Sequence, residues 1–567
     1  MAQRHEIPDL VSRVLAGRGV GVDDAPTFLT PSIRALMPDP SVLTDMDAVA
    51  ARIADAIAAA EKVAIFGDYD VDGATSSALL ARFLREQGLD PTIYIPDRIF
   101  EGYGPNSEAM RVLASAGHTL IVTVDCGTTS IEAIATAREA GLDVLVVDHH
   151  QAGSELPPAN ALVNPNRQDD LSGLNQLCAV GLTFMTVIAV NRLLRMRGWY
   201  GAGRAEPDLL AWLDLVALGT VCDVVPLTGL NRAYVAKGLA AMARGGNPGL
   251  AALAEVSRIH GALTTYHLGF MIGPRINAGG RIGQAALGAR LLASDDPAEC
   301  AQIAAELETL NQGRQTLETA MLEEAIAEVE AEIGAGEGPP ILISGSERWH
   351  PGIVGLIAAR LKERFRRPAF AIAFQTNGTG TGSGRSILGV DLGRAVRLAV
   401  ERGILLKGGG HAMAAGMTVE KARLGDLRAF LAETLAAPVG KAMEETGLPV
   451  DAAMTASGAT AEMIEMIERA GPFGAGHPEP VFAFPAHRVA YAETVGNGHV
   501  RFSLSTGAGP TLKAIAFKAA DAPLGRAILA GRGMPLHVAG TLSVDQWQGR
   551  RQPSLKVIDI AEPAAQF

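Results

Sequence analysis

Cysteine is scarce in this chain of 567 residues. There are four, Cys126, Cys178, Cys222 and Cys300, and no two stand in a Cys-x-x-Cys spacing. That excludes a disulfide framework and a cysteine-built zinc site, and it predicts a reducing, cytoplasmic setting. The N-terminus, Met-Ala-Gln-Arg-His-Glu, has no apolar signal core, and no uninterrupted apolar run is long enough to predict a membrane span. Aromatic residues make up only 5% of the chain, while glycine is abundant at 64. Positive charge is also short: the formal net charge is −12. Taken alone that argues against nucleic acid, but net charge averages over surfaces and local patches decide binding.

Two such patches are present. From Arg501 onward eight basic and four acidic side chains leave the tail at +4, with Trp547 beside Arg550 and Arg551. A second basic run is Arg360-Leu-Lys-Glu-Arg-Phe-Arg-Arg367. The acids gather elsewhere, just past short apolar runs. Val63-Ala-Ile-Phe66 leads to Asp68, Asp70 and Asp72. Leu120-Ile-Val-Thr-Val124 leads to Asp125, and Val144-Leu-Val-Val147 leads to Asp148, His149 and His150. Asp223 follows an apolar helical stretch ending Val221-Cys222.

Short β-branched runs alternating with helical segments predict a parallel α/β sheet, and ligands bind outside the carboxyl ends of its strands. Massed acids repel unless cations sit among them. A pair of divalent ions, Mn²⁺ or Mg²⁺, is the natural neutraliser, with Asp125 as the acid that bridges them. An Asp after a strand also serves as a helix N-cap, so Asp125 or Asp148 alone carries either reading. The Asp-x-Asp-x-Asp run favours the metal, because residues two apart in an extended segment point the same way.

At this length three domains are expected, give or take one. The divisions predicted are an irregular N-terminal arm with one short helix over 1–45, a catalytic α/β domain over 46–296, a long linking helix over 297–337, a second smaller α/β domain over 338–445 and a β-rich barrel or sandwich over 446–567. Spacing of three and four at Ile303, Leu307, Leu310, Leu317 and Met321, with Pro297 and Gly334 at its ends, marks the linking helix.

Phe66-Gly-Asp-Tyr-Asp-Val-Asp-Gly73, Val124-Asp-Cys-Gly127, Asp148-His-His150 and Cys222-Asp223 resemble the four motifs of the DHH phosphoesterase superfamily. Arg275-Ile-Asn-Ala-Gly-Gly-Arg281, Leu310-Asn-Gln-Gly-Arg-Gln315, Trp349-His-Pro-Gly352, Gly408-Gly-Gly-His-Ala-Met-Ala-Ala-Gly416 and Gly471-Pro-Phe-Gly-Ala-Gly-His-Pro-Glu-Pro480 extend that resemblance to its branch of single-stranded-DNA-specific 5′→3′ exonucleases. The resemblance implies a DHH catalytic domain, a DHHA1 substrate domain and a C-terminal OB fold. It implies Asp70, Asp72, Asp125, His149 and Asp223 as metal ligands, joined by Asp68, with His150 on the scissile phosphate and Asp148 orienting a histidine. Phe66 stands where related pyrophosphatases carry a histidine, which predicts a weaker first metal.

For the 5′ phosphate the resemblance points to Ser383, Arg385 and Ser386, then to Arg98, Arg275 and Arg281, and to Gly409, Gly410 and His411 in the glycine run. Surface or interdomain ion pairing is the competing reading for the arginines, and packing is the competing reading for His411. Tyr103 reads equally as a base-stacking or a core residue. The implied activity is degradation of single-stranded DNA to mononucleotides in repair and recombination, by a monomer working with a single-stranded-DNA-binding protein and a repair helicase. The rival readings are a phosphodiesterase for short oligonucleotides or cyclic dinucleotides, and a non-catalytic replication scaffold. The long C-terminal segment argues against the first and the complete set of acids against the second.

Overall fold

The structure, a computed structural model, describes residues 1–563 except 99, 202, 335, 446, 508, 548 and 549; the side chains of Gln546, Trp547 and Arg550 also lie outside the described part. The chain divides into two compact units. One is built from Pro40–Asp223 and Ala241–Gly447, the other from Met1–Asp39, Val224–Ala240 and Leu448–Phe567.

The first unit opens on a five-stranded parallel sheet of β1 (Val63–Gly67), β2 (Thr92–Tyr94), β3 (Leu120–Val124), β4 (Asp143–Val147) and β5 (Ala161–Val163), in the order β2-β1-β3-β4-β5. Every residue of β1 and of β3 is buried, as continuous apolar runs covered by helices on both faces must be. The chain leaves β1 towards one edge and returns at β3 on the other side. The switch point of the sheet, where a crevice opens at the strand ends, therefore lies between the Asp68–Asp72 turn and Asp125.

Helix α1 (Val71–Glu86) follows β1, and helix α2 (Ala179–Met196) packs against it. The 18 residues of α2 reach the length and mean hydropathy of a membrane span, although Thr183, Thr186, Asn191 and Arg192 interrupt the apolar run. However, 72% of them are buried within the fold, so α2 reads as a core helix. Helix α3 (Leu213–Cys222) delivers Asp223 at its C-terminus. A π-helical turn, His267–Ile272, runs directly into α4 (Gly273–Ile282). The predicted long helix is α5 (Pro297–Ile333), capped by Asp296 and stopped at Gly334 with φ 55°.

A second, mixed sheet follows, with order β6-β7-β8-β10-β9: β6 (Leu342–Ser346), β7 (Ala369–Phe374), β8 (Thr379–Arg385), β9 (Lys407–His411) and β10 (Ala414–Glu420). Only β6–β7 is parallel. In β8 the alternation Gly380, Gly382, Gly384 is buried. A Cβ at Gly384 would stand 2.4 Å from the Phe370 ring and one at Gly382 2.8 Å from Met417. Glycine on that face lets β8 lie directly on the apolar core, and strand alternation then sends Ser383 and Arg385 to the other face. Helix α6 (Val354–Phe365) lies there, where Gly355 leaves room for both side chains. The basic run on α6 is largely absorbed in ion pairs, Arg360 with Glu318 and Glu363, and Arg364 with Glu330.

The second unit is a closed barrel. Strands β12 (Val481–Val495), β13 (His499–Ser505), β14 (Leu512–Ala516), β16 (Arg550–Ala561) and β15 (Pro535–Trp547) pair in that order, and β15 returns to pair with β12. The short β11 (Ala452–Ala453) adds to β12. Phe482, Phe484, Phe502, Leu504, Val538 and Leu555 fill the interior. This is the OB-like fold.

The N-terminal arm is more ordered than expected. It forms four short helices, and Val11, Val14 and Leu15 make a small core with Ala25 and Ala470. Arg18 forms a two-pronged ion pair with Asp451 at 2.8 and 3.2 Å. The fully buried Arg232 donates to the carbonyls of Phe28 (2.8 Å), Ala470 (2.8 Å), Pro472 (3.2 Å) and Gly471, with its guanidinium over the Phe28 ring. The Gly471–Pro480 motif is thus a structural latch: its carbonyls receive Arg232, and His477 is hydrogen-bonded to Ala470 at 2.8 Å.

Replacing Arg232 leaves several buried carbonyls without a donor. Arg232→Ala is predicted to lower stability by about 3 kcal/mol. Chemical denaturation followed by circular dichroism checks this; a loss below about 1 kcal/mol would show that water replaces the guanidinium.

Candidate metal centre and anion pocket

Three overlapping donor groups converge at the switch point: Asp68, Asp70 and Asp125; Asp72, His149 and Asp223; and Asp125, His149 and His150. Within each group the donor atoms lie within 4.8 Å of one another. Nε2 of His149 is 3.3 Å from Oδ1 of Asp125, 3.7 Å from Oδ2 of Asp223 and 3.8 Å from Oδ2 of Asp72. Asp125 is common to two of the groups, and His149 links one of these to the third. The Asp125 backbone takes φ 61°, a conformation Asp adopts at a modest steric cost. That kink turns the carboxylate from the end of β3 into the crevice.

Capping and site membership coexist here. Asp70 caps α1, accepting from the Gly73 amide at 3.1 Å, and still faces Asp68 and Asp125. Asp72 accepts from the Ala179 and Val180 amides at 2.6 and 2.8 Å and so seats the positive end of α2. Gly219 leaves room for it, since a Cβ there would be 3.0 Å from its Oδ1. Asp148 accepts from the His149 amide (2.7 Å), the Thr128 amide (3.0 Å) and Nδ1 of His150 (2.8 Å), so the histidine it orients is His150. The Tyr103 hydroxyl sits 3.1 Å from Nε2 of His150, and the ring is half exposed, so Tyr103 lies at the site rather than in the core. Phe66 is fully buried and stacks on Tyr94 at 5.2 Å, so the place of the pyrophosphatase histidine is filled by core packing.

The electrostatics of the crevice favour bound cations. Burial and Asp70 push Asp68 well up, and burial with Asp72, Asp70, Asp68 and Asp223 does the same to Asp125. Burial and Asp70 raise Asp72 to about 7; burial, Asp72 and Asp70 raise Asp223 to about 9. Burial and the neighbouring His150 hold His149 at about 4, neutral and fit to be a ligand. His150 goes the other way, to about 9: burial opposes its charge, but its hydrogen bond to Asp148 and that carboxylate's charge outweigh burial. Oδ1 of Asp68 and Oδ1 of Asp125 are buried with no hydrogen-bond donor. Stranded acceptors of this kind fit a divalent cation.

A second cluster is cationic. The Arg98 guanidinium lies 4.9 Å over the Tyr69 ring. Arg281 donates to the Gly352 carbonyl at 2.9 Å; burial and the charges of Arg98, Arg314 and Arg385 hold it down to about 10. Burial and Arg98 also lower Arg385 and His350. Arg385 is braced by Ser383 Oγ (3.0 Å) and the Gly384 carbonyl (2.9 Å). Half-buried cations that repel one another suit an anion.

Of the other residues singled out from sequence, Arg275 is engaged elsewhere: it pairs with Glu308 at 2.6 Å and lines a separate cavity of about 630 Å³ with Arg258 and Gln312. Ser386 is buried and donates to the Val390 carbonyl at 2.7 Å, a turn-closing role. Gly410 is backbone-packed, a Cβ there meeting the Ala414 carbonyl at 2.3 Å, whereas Gly409 has open space. His411 is exposed at the end of β9 and bears electrostatically on His149. His350 was not singled out; its only signal was its place between Trp349 and Pro351-Gly352 at the start of a helix.

Comparison with known proteins agrees with this geometry. Family models match the DHH family N-terminal domain over residues 62–220, the DHHA1 domain over 338–437 and the RecJ OB domain over 450–559. The single-stranded-DNA-specific exonuclease RecJ of Dickeya dadantii (strain 3937) is 38% identical over 523 residues, covering 90% of this chain and 89% of the relative. That of Escherichia coli (strain K12) is 35% identical over 567 residues, covering 98% and 95%. The crystal structure of RecJ in complex with Mn²⁺ from Thermus thermophilus matches with a TM-score of 0.77 at 30% identity, over 99% of this chain and 77% of that one. The Mg²⁺ complex from the same source matches at 0.72 and 28%, over 99% and 76%.

The raised acids set a pH dependence. Asp72 and Asp223 bind their protons more tightly folded than unfolded, so the stability they contribute is present below about pH 4 and is lost as pH rises through 7 and 9. The metal-free protein is therefore predicted to melt at lower temperature at pH 9 than at pH 6. Mn²⁺ should bind more tightly as pH rises, releasing protons and removing that slope. Thermal melts across this window, with and without Mn²⁺, check it; a metal-free melting temperature that rises with pH would contradict it.

Proposed function

The chain belongs to the RecJ family of DHH phosphoesterases and is a single-stranded-DNA-specific exonuclease, and we propose that it works from the 5′ end and releases mononucleotides. The unpartnered buried oxygens of Asp68 and Asp125 carry the metal-dependent part of this reading, because acceptors of this kind fit a divalent cation. Asp68, Asp70 and Asp125 would hold one divalent ion, Mn²⁺ or Mg²⁺, and Asp72, His149 and Asp223 a second, with Asp125 the acid that would serve both. When bound, the ions supply a water nucleophile active at neutral pH and neutralise charge on the phosphate.

The protein's own groups do the rest. His150, kept cationic by Asp148, faces the scissile phosphate and offsets the charge that develops there. Tyr103 steadies its ring. Arg98, Arg281, Arg385, Ser383 and His350 receive the 5′-terminal phosphate, whose two charges relieve their mutual repulsion. His411, across from His149, closes the site from the second sheet. Selection of single strands is steric, because both clusters lie in the crevice between the two sheets of one unit. The OB barrel binds single strands, as such folds do. The four free cysteines suit a cytoplasmic enzyme of repair and recombination. A single-stranded-DNA-binding protein and a helicase that exposes ends are its natural partners, and it acts as a monomer.

Asp125→Ala is expected to leave binding of single-stranded DNA intact and to reduce turnover below roughly one-tenth of wild type, since both ions lose a ligand. Steady-state cleavage of an end-labelled strand alongside an anisotropy measurement of binding tests this. Arg385→Ala is expected to weaken use of 5′-phosphorylated ends by about 1.5–3 kcal/mol and to spare 5′-hydroxyl ends. Equal losses on both substrates would place Arg385 outside the phosphate pocket.

A further inference from the structure

One pair of aromatic rings has no role in the reading above. Tyr266 and Phe270 are 58% and 73% exposed, yet their rings stack on each other at 5.2 Å with 26° between planes. They project from a rigid base. The π-helical turn that begins just after Tyr266 and carries Phe270 buries Leu268 and Ile272 completely, and it continues into α4. A π turn inside a helix redirects side chains and recurs at functional sites. Here Pro274 lacks the amide that would continue the regular ladder.

The position of this helix gives the pair a meaning. At its far end Arg281 enters the anion pocket, and Gly280 lies against the Tyr69 carbonyl, where a Cβ would come within 2.8 Å. In its middle, Gly273 lies against Cys222, where a Cβ would come within 2.6 Å of Sγ, and Cys222 Sγ donates to the Leu268 carbonyl at 3.4 Å. Cys222 directly precedes Asp223, a member of the acid cluster. From Arg281 to Tyr266 is about 22 Å of helix at the usual rise per residue. Along one rigid element the order is therefore anion pocket, acid cluster, exposed aromatic pair.

We propose that Tyr266 and Phe270 form a base-stacking platform for single-stranded DNA on the 3′ side of the scissile bond. This rests on the exonuclease reading and deepens it. With the 5′ phosphate at Arg281 and hydrolysis at the acids, the strand still attached runs along the helix towards its N-terminus. The first bases beyond the cut then meet the outer face of the Phe270–Tyr266 stack. Stacking suits an enzyme that must accept every sequence, because every base has a π face.

The test uses full-length enzyme with Mn²⁺, a long 5′-phosphorylated oligodeoxythymidylate and a 5′-phosphorylated dinucleotide. Tyr266→Ala with Phe270→Ala should raise KM for the long strand about tenfold and change kcat little. The dinucleotide should be affected much less. Phe270→Trp should keep wild-type KM. An abasic site moved one position at a time from the 5′ end should raise the wild-type KM at the positions that reach the platform and leave the double variant indifferent. An unchanged KM for the long strand, or a penalty equal on both substrates, overturns the platform while leaving the nuclease reading standing. Wild-type enzyme that fails to degrade the long strand removes that reading itself.

Discussion

Everything in the catalytic unit answers to one constraint, the repulsion among carboxylates buried together at the switch point of a parallel sheet. Left alone, such groups take up protons, as the upward shifts at Asp68, Asp72, Asp125 and Asp223 show. The fold holds them there by local means. Asp70 caps one helix, Asp72 seats the start of another, and Asp125 is turned inward by a left-handed backbone at the end of β3. Each acid is fixed by backbone that would exist without it. The repulsion is therefore not relieved by movement, and the cluster suits a divalent cation.

The same logic, with the sign reversed, governs the neighbouring pocket. Arg98 lowers the proton affinity of Arg281, Arg385 and His350, and the cluster suits a doubly charged anion. A net charge of −12 conceals this pairing of an acid-lined and a base-lined cluster in one unit. The glycine alternation in β8 makes it structurally possible: with no side chains on the core face, the strand carries Arg385 and Ser383 on the face towards α6.

The acids were legible because their signal is local. A carboxylate one or two residues past a β-branched run needs only the strand to be placed, and parallel strands bring their ends together. The barrel was legible for a related reason, the alternation in His499–Ser505 and Pro535–Leu542. The arginines were harder, since an isolated cation carries no signature of its partner. Arg275 and Arg281 share a motif and a helix, yet six residues of helical turn send one to Glu308 and the other to the anion pocket. The N-terminal arm was misread because its order comes from partners distant in sequence, Asp451 for Arg18 and Ala470 for its small apolar core. The Gly471–Pro480 motif has the same cause: its carbonyls serve Arg232, some 240 residues away in the chain.

Anomalous scattering from a crystal of this protein soaked in Mn²⁺ tests the central claim most directly. The account predicts two peaks in the crevice, one among Asp68, Asp70 and Asp125 and the other among Asp72, His149 and Asp223, with Asp125 touching both. Peaks on the protein surface alone, or a crevice without metal while its acids remain in place, would contradict it.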